Sequence, residues 1–215
     1  MARYGKKAFQ MIHVVDYGVG NIQAFTNLFK RLDIDVQRST SPDALEGATH
    51  LILPGVGHFD HAMKLFNDSG MRSSMEELVL EKKIPVLGVC VGMQMLAEGS
   101  EEGSLSGLNW IPGRVRAFGS NAKCTNLPLP HMGWNELKPQ KGARLFSQGF
   151  VELPQFYFLH SFYFDAYEKS DVAATAHYGI DFDAVVSRGH IHGIQCHPEK
   201  SHHWGQQLLQ NFAEL

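Results

Sequence analysis

Cysteine is scarce in this sequence: Cys90, Cys124 and Cys196 are the three in 215 residues, far apart and never in a CxxC pair. Three thiols cannot all pair, so no disulfide framework is expected, and free thiols imply a reducing compartment, the cytoplasm. Charge of one sign is lacking too. Nineteen Lys and Arg stand against 22 Asp and Glu, a net charge of -3, which gives no footing to nucleic acid or an anionic membrane surface. Long hydrophobic runs are missing. The longest, Val86 to Ala97, is interrupted by two glycines and Gln94, too short and broken to span a bilayer. The opening residues MARYGKKAFQ are basic with no apolar segment, so no signal peptide is expected. There is no internal repeat, low-complexity tract or linker.

What is present is an ordinary globular balance, 44% hydrophobic and 19% charged, enough to fill a real core. The reading is one α/β domain over 11–215, after an N-terminal extension at 1–10. MIHVVDYG (11–18) is an apolar, β-branched run of the buried-strand kind. Ile22, Phe25, Leu28, Phe29 and Leu32 follow at helical spacing. DVQRST, HLILPG and PVLGVC read as further strands, SPDALEGA as a helical turn capped by Ser41, and Asp60–Gly70 and Ser73–Lys83 as helices. MQMLAEG reads as the start of another helix. That alternation predicts a central, mostly parallel sheet flanked by helices. After about Asn109, IPGRVRAF, HMGWNEL, QFYFLHSFYF, DVAATAHYG, DAVVSRG and HIHGIQCHPE predict added antiparallel strands, and HWGQQLLQNFAEL a closing helix.

The sharpest local feature is Gly88-Val89-Cys90-Val91-Gly92, between a strand and a helix. A nucleophile flanked in this way sits on a tight elbow that pushes its side chain out at the sheet edge. Free N–H groups at a helix start favour a thiolate, and the carboxyl ends of parallel strands are where open α/β sheets bind ligands. The pentapeptide alone fits a buried structural cysteine about equally well. Among 12 histidines, His197 stands out in GIQCHPEKS. Pro198 restricts His197 to extended backbone. If the chain stays extended, Glu199 points the same way and can hold the imidazole in the tautomer that accepts a thiol proton. A lone His-x-Glu is more often a surface pair; its weight comes from the Cys elbow. His190, His192, His197, His202 and His203 raise a metal cluster as a rival, but their spacing is not of zinc type.

Together these segments resemble the triad-type (class I) glutamine amidotransferases and, among them, the glutaminase subunits of imidazole glycerol phosphate synthase. DYGVGN, LPGVGHFDHAM, GVCVGMQML, GSEEG, GLNWIPGRV, PHMGWN, FLHSFY and GIQCHPEKS run in order across nearly the whole chain. The resemblance implies Cys90 as nucleophile, His197 as general base and acid, and Glu199 as its orienting carboxylate. It implies an oxyanion site from Val91 and the loop Gly55-Val56-Gly57, although a plain βα turn explains those glycines better from sequence alone. It implies glutamine recognition by Gln94, Glu102, Ser161 and Phe162, and Asn21, Asn135 and Lys200 facing a partner near an ammonia exit. The implied partner is a (βα)8-barrel cyclase, in a heterodimer that takes ammonia and makes imidazole glycerol phosphate and aminoimidazole carboxamide ribotide in histidine biosynthesis. No cofactor, metal, nucleic acid or membrane is implied. Cys196 where an aromatic is usual, CVG for CLG, HIHG for an NIFG-like stretch and Phe162 for Tyr depart from the commonest pattern and leave the partner open. MLAEGSEEG, FYFLHSFYF and SHHWG are reminiscent of glutaminases that serve surface-sugar amidotransferases. A triad-bearing but inactive scaffold is the third reading.

Overall fold

The computed structural model describes residues 10–215; the N-terminal extension expected at 1–10 lies, except for Gln10, outside the described residues. The chain runs β1 (Met11–Val15), α1 (Ile22–Arg31), β2 (Asp35–Ser39), β3 (His50–Gly55), α2 (Phe59–Asp68), α3 (Arg72–Glu76), β4 (Val86–Cys90) and α4 (Val91–Gln94). It continues through β5 (Gly113–Ala117), β6 (His131–Glu136), β7 (Lys138–Pro139), β8 (Gln155–His160), β9 (Phe162–Ala166), β10 (Val172–Tyr178), β11 (Ile180–Arg188), β12 (Ile191–Ile194) and α5 (His202–Ala213).

The main sheet has the order β2-β1-β3-β4-β12-β11-β10-β7. Its first five strands are parallel; β11, β10 and β7 continue it antiparallel. A mostly parallel sheet with antiparallel additions is what the strand–helix alternation predicted. β3, β4 and β12 are buried along their whole length, as strands covered on both faces must be. β9 pairs with β5 and β11, whereas β6 and β8 form a separate two-stranded ribbon. On α1, Phe25, Leu28 and Phe29 turn inward. They join one continuous apolar core that also holds Phe118, Phe158, Phe164 and Phe182. Each fully buried side chain of that size contributes about 1.5–3 kcal/mol.

The structure differs from expectation in four places. The helix after Cys90 is a single turn of four residues; Gly107, Leu108, Asn109 and Trp110 bond back to the backbone at Met95–Glu98 and end it. Its dipole is correspondingly small, and what it offers a thiolate is free N–H groups. The second half of Ser73–Lys83 is a π-turn at Glu77–Glu81 after α3. QFYFLHSFYF is two strands broken at Ser161, because β8 belongs to the ribbon and β9 to the main sheet. Finally, the chain does not stay extended after His197. Pro198–Lys200 is a 3-10 turn with Pro198 in its first turn, the place where a missing N–H costs nothing.

Candidate active site

β4 lies between β3 and β12, with Cys90 opposite Gly55 and Val89 opposite Ile194. The chain leaving all three strands therefore converges on Cys90. Cys90 has φ 56° and ψ -114°, a left-handed backbone that a non-glycine residue holds at a cost of about 1–3 kcal/mol. The turn is sharp because β3 crowds it. A Cβ on Gly92 would stand 1.9 Å from the Leu53 carbonyl oxygen, and one on Gly55 would stand 2.4 Å from the Gly92 nitrogen. Gly57 adopts φ 84°. Tyr17, from DYGVGN, donates its hydroxyl to the Pro54 carbonyl at 2.7 Å and pins the loop's entry.

Cys90 opens on a cavity of about 300 Å³. Val56, Gly57, Val91, Gln94, Glu102, Ser161, Phe162, His197 and Lys200 line it as well. A larger groove of about 750 Å³ at residues 139–154 has no Cys or His among its lining residues, so it holds no comparable chemistry.

His197 and Glu199 are buried, and His197 Nδ1 lies 2.9 Å from Glu199 Oε1. The turn at Pro198 brings the carboxylate to the ring by a different path from the extended one expected. Among the described residues Glu199 Oε2 has no hydrogen-bond partner, and the bond this carboxylate makes is to the ring. Burial by itself would lower the His197 pKa. Hydrogen bonds with Cys90 and Glu199, and the charges on both, outweigh it and push it up to about 10. The ring is therefore charged across the neutral range. Cys196, fully buried, has its thiol pushed well up by burial and then by the Glu199 charge, which leaves it inert as a nucleophile.

Glu102 reaches the cavity rim while its Oε2 accepts from the Phe59 N–H at 2.8 Å. Asp60 holds that loop through the N–H groups of Ser104 and Leu105. Lys200 Nζ lies 5.8 Å from the Tyr157 ring centre. Asn135 lies outside the cavity and donates to the His177 carbonyl at 2.9 Å. Asn21 is exposed at the start of α1, in a separate cleft with Asp16 and Arg38. Three histidines of the metal rival are engaged with protein: His197 with Glu199, His190 with the Val79 carbonyl and His192 with Ser187. No group of three or more metal-type side chains forms among the described residues.

Sequence reasoning missed Gln195. It is fully buried, and its Nε2 lies 3.8 Å from the Cys90 sulfur, a long contact typical of an amide donor to sulfur. The signal was there: a polar side chain inside a buried strand run must find partners. It also missed the linked pair His131 and His160, whose meeting depends on β6–β8 pairing.

A thiol, an imidazole and a carboxylate in sequence, on an elbow at the carboxyl end of a central parallel strand, define a cysteine hydrolase of the amidotransferase kind. The family model for glutamine amidotransferase class-I matches residues 13–215, and the chain belongs to that family. A solved glutamine amidotransferase has the same fold with TM-score 0.71 at 20% identity, over 94% of this chain and 97% of its own. The structure of PurLQS from Thermotoga maritima gives TM-score 0.71 at 16% identity, over 96% and 99%. Among relatives, imidazole glycerol phosphate synthase subunit HisH from Bdellovibrio bacteriovorus is 53% identical over 95% of this chain and all of its own length. The protein of the same name from Leptospira borgpetersenii is 48% identical over the same shares. Within the class, the chain thus belongs with the HisH subunits. No helix among the described residues is long and apolar enough to cross a membrane.

Proposed function

We propose that this chain is the glutaminase subunit of an imidazole glycerol phosphate synthase, acting in the cytoplasm in histidine biosynthesis. The observation that carries the reading is the His197 ring, 2.9 Å from Glu199, on the same cavity as Cys90, with Gln94 and Glu102 lining it. The Cys90 sulfur attacks the side-chain amide carbon of glutamine, and the oxyanion takes the Val91 N–H and, once the loop turns, the Val56 N–H. His197 gives its proton to the leaving nitrogen, ammonia departs, and the same ring activates the water that releases glutamate from the thioester. Glu199 holds the ring's tautomer and balances its charge. The Glu102 carboxylate and the Ser161–Phe162 backbone receive the amino-acid head of glutamine.

The partner is a synthase subunit, in our reading a (βα)8-barrel cyclase forming a heterodimer. Exposed Met132 and Leu159 are paired across the ribbon, Trp134 is exposed beside them, and Val56 and Leu159 line the cavity. An apolar patch at a site mouth suits a docking partner that keeps ammonia from water. Gly55 and Gly57 give the Val56 peptide the freedom to turn only when that partner is loaded, a population shift. Asn21 and Lys200 would face the partner near the ammonia exit, with Asn135 behind the ribbon's apolar face, its amide held by His131 and the His177 carbonyl. The HisH relatives favour this reading over the surface-sugar alternative.

Glutamate release, measured with and without the co-purified synthase subunit, is expected to rise at least about tenfold in the complex, or about 1.4 kcal/mol of coupling. No release under either condition from folded protein would remove the reading. Glu102→Gln keeps the acceptor for Phe59 and deletes the charge. Its KM for glutamine is expected to rise about tenfold, the size of one charge-assisted contact, with kcat within about threefold. A fall in kcat at constant KM would place Glu102 elsewhere in the reaction.

A further inference from the structure

A chain of hydrogen bonds runs from the ribbon to the nucleophile, and its proton positions admit one arrangement. His160 Nδ1 lies 2.7 Å from the Phe162 carbonyl oxygen. A carbonyl only accepts, so that nitrogen carries the hydrogen. His160 is neutral, its pKa pushed down by burial to about 3, so its Nε2 is an acceptor. His131 Nδ1 lies 2.9 Å from that Nε2 and must donate. His131 is neutral as well, lowered by burial to about 4, so its own Nε2 accepts from Asn135 Nδ2 at 3.2 Å. The second Asn135 N–H goes to the His177 carbonyl, which determines the amide's orientation. His131 is stacked between Tyr178 and Phe158, with ring centres 4.1 and 5.0 Å away. His160 packs against Phe118 and Phe182. A flipped His160 would turn a C–H to the Phe162 carbonyl and a flipped His131 a C–H to His160, so the hydrogen bonds themselves hold both orientations.

The inner end reaches substrate residues. Gln94 Nε2 donates to the same Phe162 carbonyl at 3.4 Å and to Gln195 Oε1 at 3.1 Å. Both its N–H groups are committed, so Gln94 turns Oε1 to the cavity it lines. Gln195 in turn donates to Cys90. A reversed Gln94 amide would present N–H groups where glutamine brings its ammonium.

We propose that His131 and His160 are positioning residues of the glutamine pocket: the Asn135–His131–His160 chain holds the Phe162 carbonyl, and that carbonyl sets Gln94 with its oxygen toward the substrate. This inference rests on the glutaminase reading. His160 lines the same cavity as Cys90, but among the described residues neither ring is hydrogen-bonded to Cys90, His197 or Glu199. The device supplies an acceptor without a charge, which leaves the ammonium's countercharge to Glu102.

The test uses the whole chain and two alkylating agents for Cys90: the chloromethyl ketone analogue of glutamine, which needs the pocket, and iodoacetamide, which needs only the thiol. An Asn side chain places its amide where Nδ1 stood; a Gln side chain reaches instead to Nε2. His160→Gln is expected to weaken half-saturation by the ketone about tenfold, or about 1.4 kcal/mol, while His160→Asn stays within about threefold. Iodoacetamide should react within about twofold of wild type in both. Packing alone predicts the opposite order, because Gln is nearer His in size; equal or inverted effects would overturn the proposal. Should either variant not fold, the ring-nitrogen NMR spectrum of the unaltered protein decides. Hydrogen on Nδ1 of both histidines supports the chain, and hydrogen on Nε2 of His160 overturns it. A wild-type protein that iodoacetamide labels and the ketone does not would sink the glutaminase reading, and this inference with it.

Discussion

Cys90→Ser in the complex with the synthase subunit is expected to lose glutamine hydrolysis by at least about a thousandfold in kcat while ammonia-dependent synthesis continues. The change removes one polarizable sulfur and leaves the elbow intact. The backbone at φ 56° is set by the close approach of Gly92 to Leu53, which a serine does not alter. Chemistry is what changes. A hydroxyl beside His197 is a far poorer nucleophile than a thiolate, and Gln195 Nε2, placed 3.8 Å from the sulfur, is too distant to serve a smaller oxygen. Ammonia added from solution bypasses the glutaminase and reaches the synthase directly. Glutamate release and synthase product, measured on the same preparation with glutamine or with ammonium salt, separate the two activities. A variant that still releases glutamate at more than a few per cent of the wild-type rate would mean that another residue attacks the amide.

Mild acid is expected to unfold the protein. His50 and His131 are pushed down by burial to about 4, and His160 and His192 to about 3. In the unfolded chain each returns to its ordinary value of 6.5. Folded values below unfolded ones mean that the unfolded state binds more protons between 6.5 and about 4. The stability these neutral rings contribute is therefore complete above 6.5 and falls as the pH falls. Each ring removes about 1.4 kcal/mol per pH unit once well below 6.5, so four together remove about 5 kcal/mol per unit. Two such units remove about 10 kcal/mol, most of a stability of about 5–15 kcal/mol. His197 acts in the opposite sense: raised to about 10, it stabilises fully below 6.5 and loses that contribution as the pH rises toward 10. Urea midpoints at about pH 7, 6 and 5 should drop steeply, with unfolding near pH 4.5 in buffer alone. A midpoint unchanged between about pH 7 and pH 5 would mean that these rings reach protons in the folded state.

The parallel half of the sheet was legible because its signals are local. β1, β3 and β4 are β-branched apolar runs, and α1 carries Phe25, Leu28 and Phe29 at one face's spacing. The antiparallel half was legible as strands and not as pairings. Nothing near Ser161 says that the residues before it join β6 and those after it join β5 and β11, since register is a choice among distant partners. The four-residue length of α4 was hidden for the same reason: residues 107–110 end it from well along the chain.

Residue type and spacing determined by themselves which chemistry was on offer: a Cys on a glycine-flanked elbow, and an imidazole two positions from a carboxylate. Tertiary structure decided the rest. It joined residue 90 to residue 197 by setting β12 beside β4, curled Pro198–Lys200 so that Glu199 meets the ring, and threaded Gln195, Gln94, His160 and His131 into one proton order. The physical reason is that a hydrogen bond in a buried site is settled by which acceptor lies within about 3 Å. Sequence distance does not enter into that; the folded sheet supplies it.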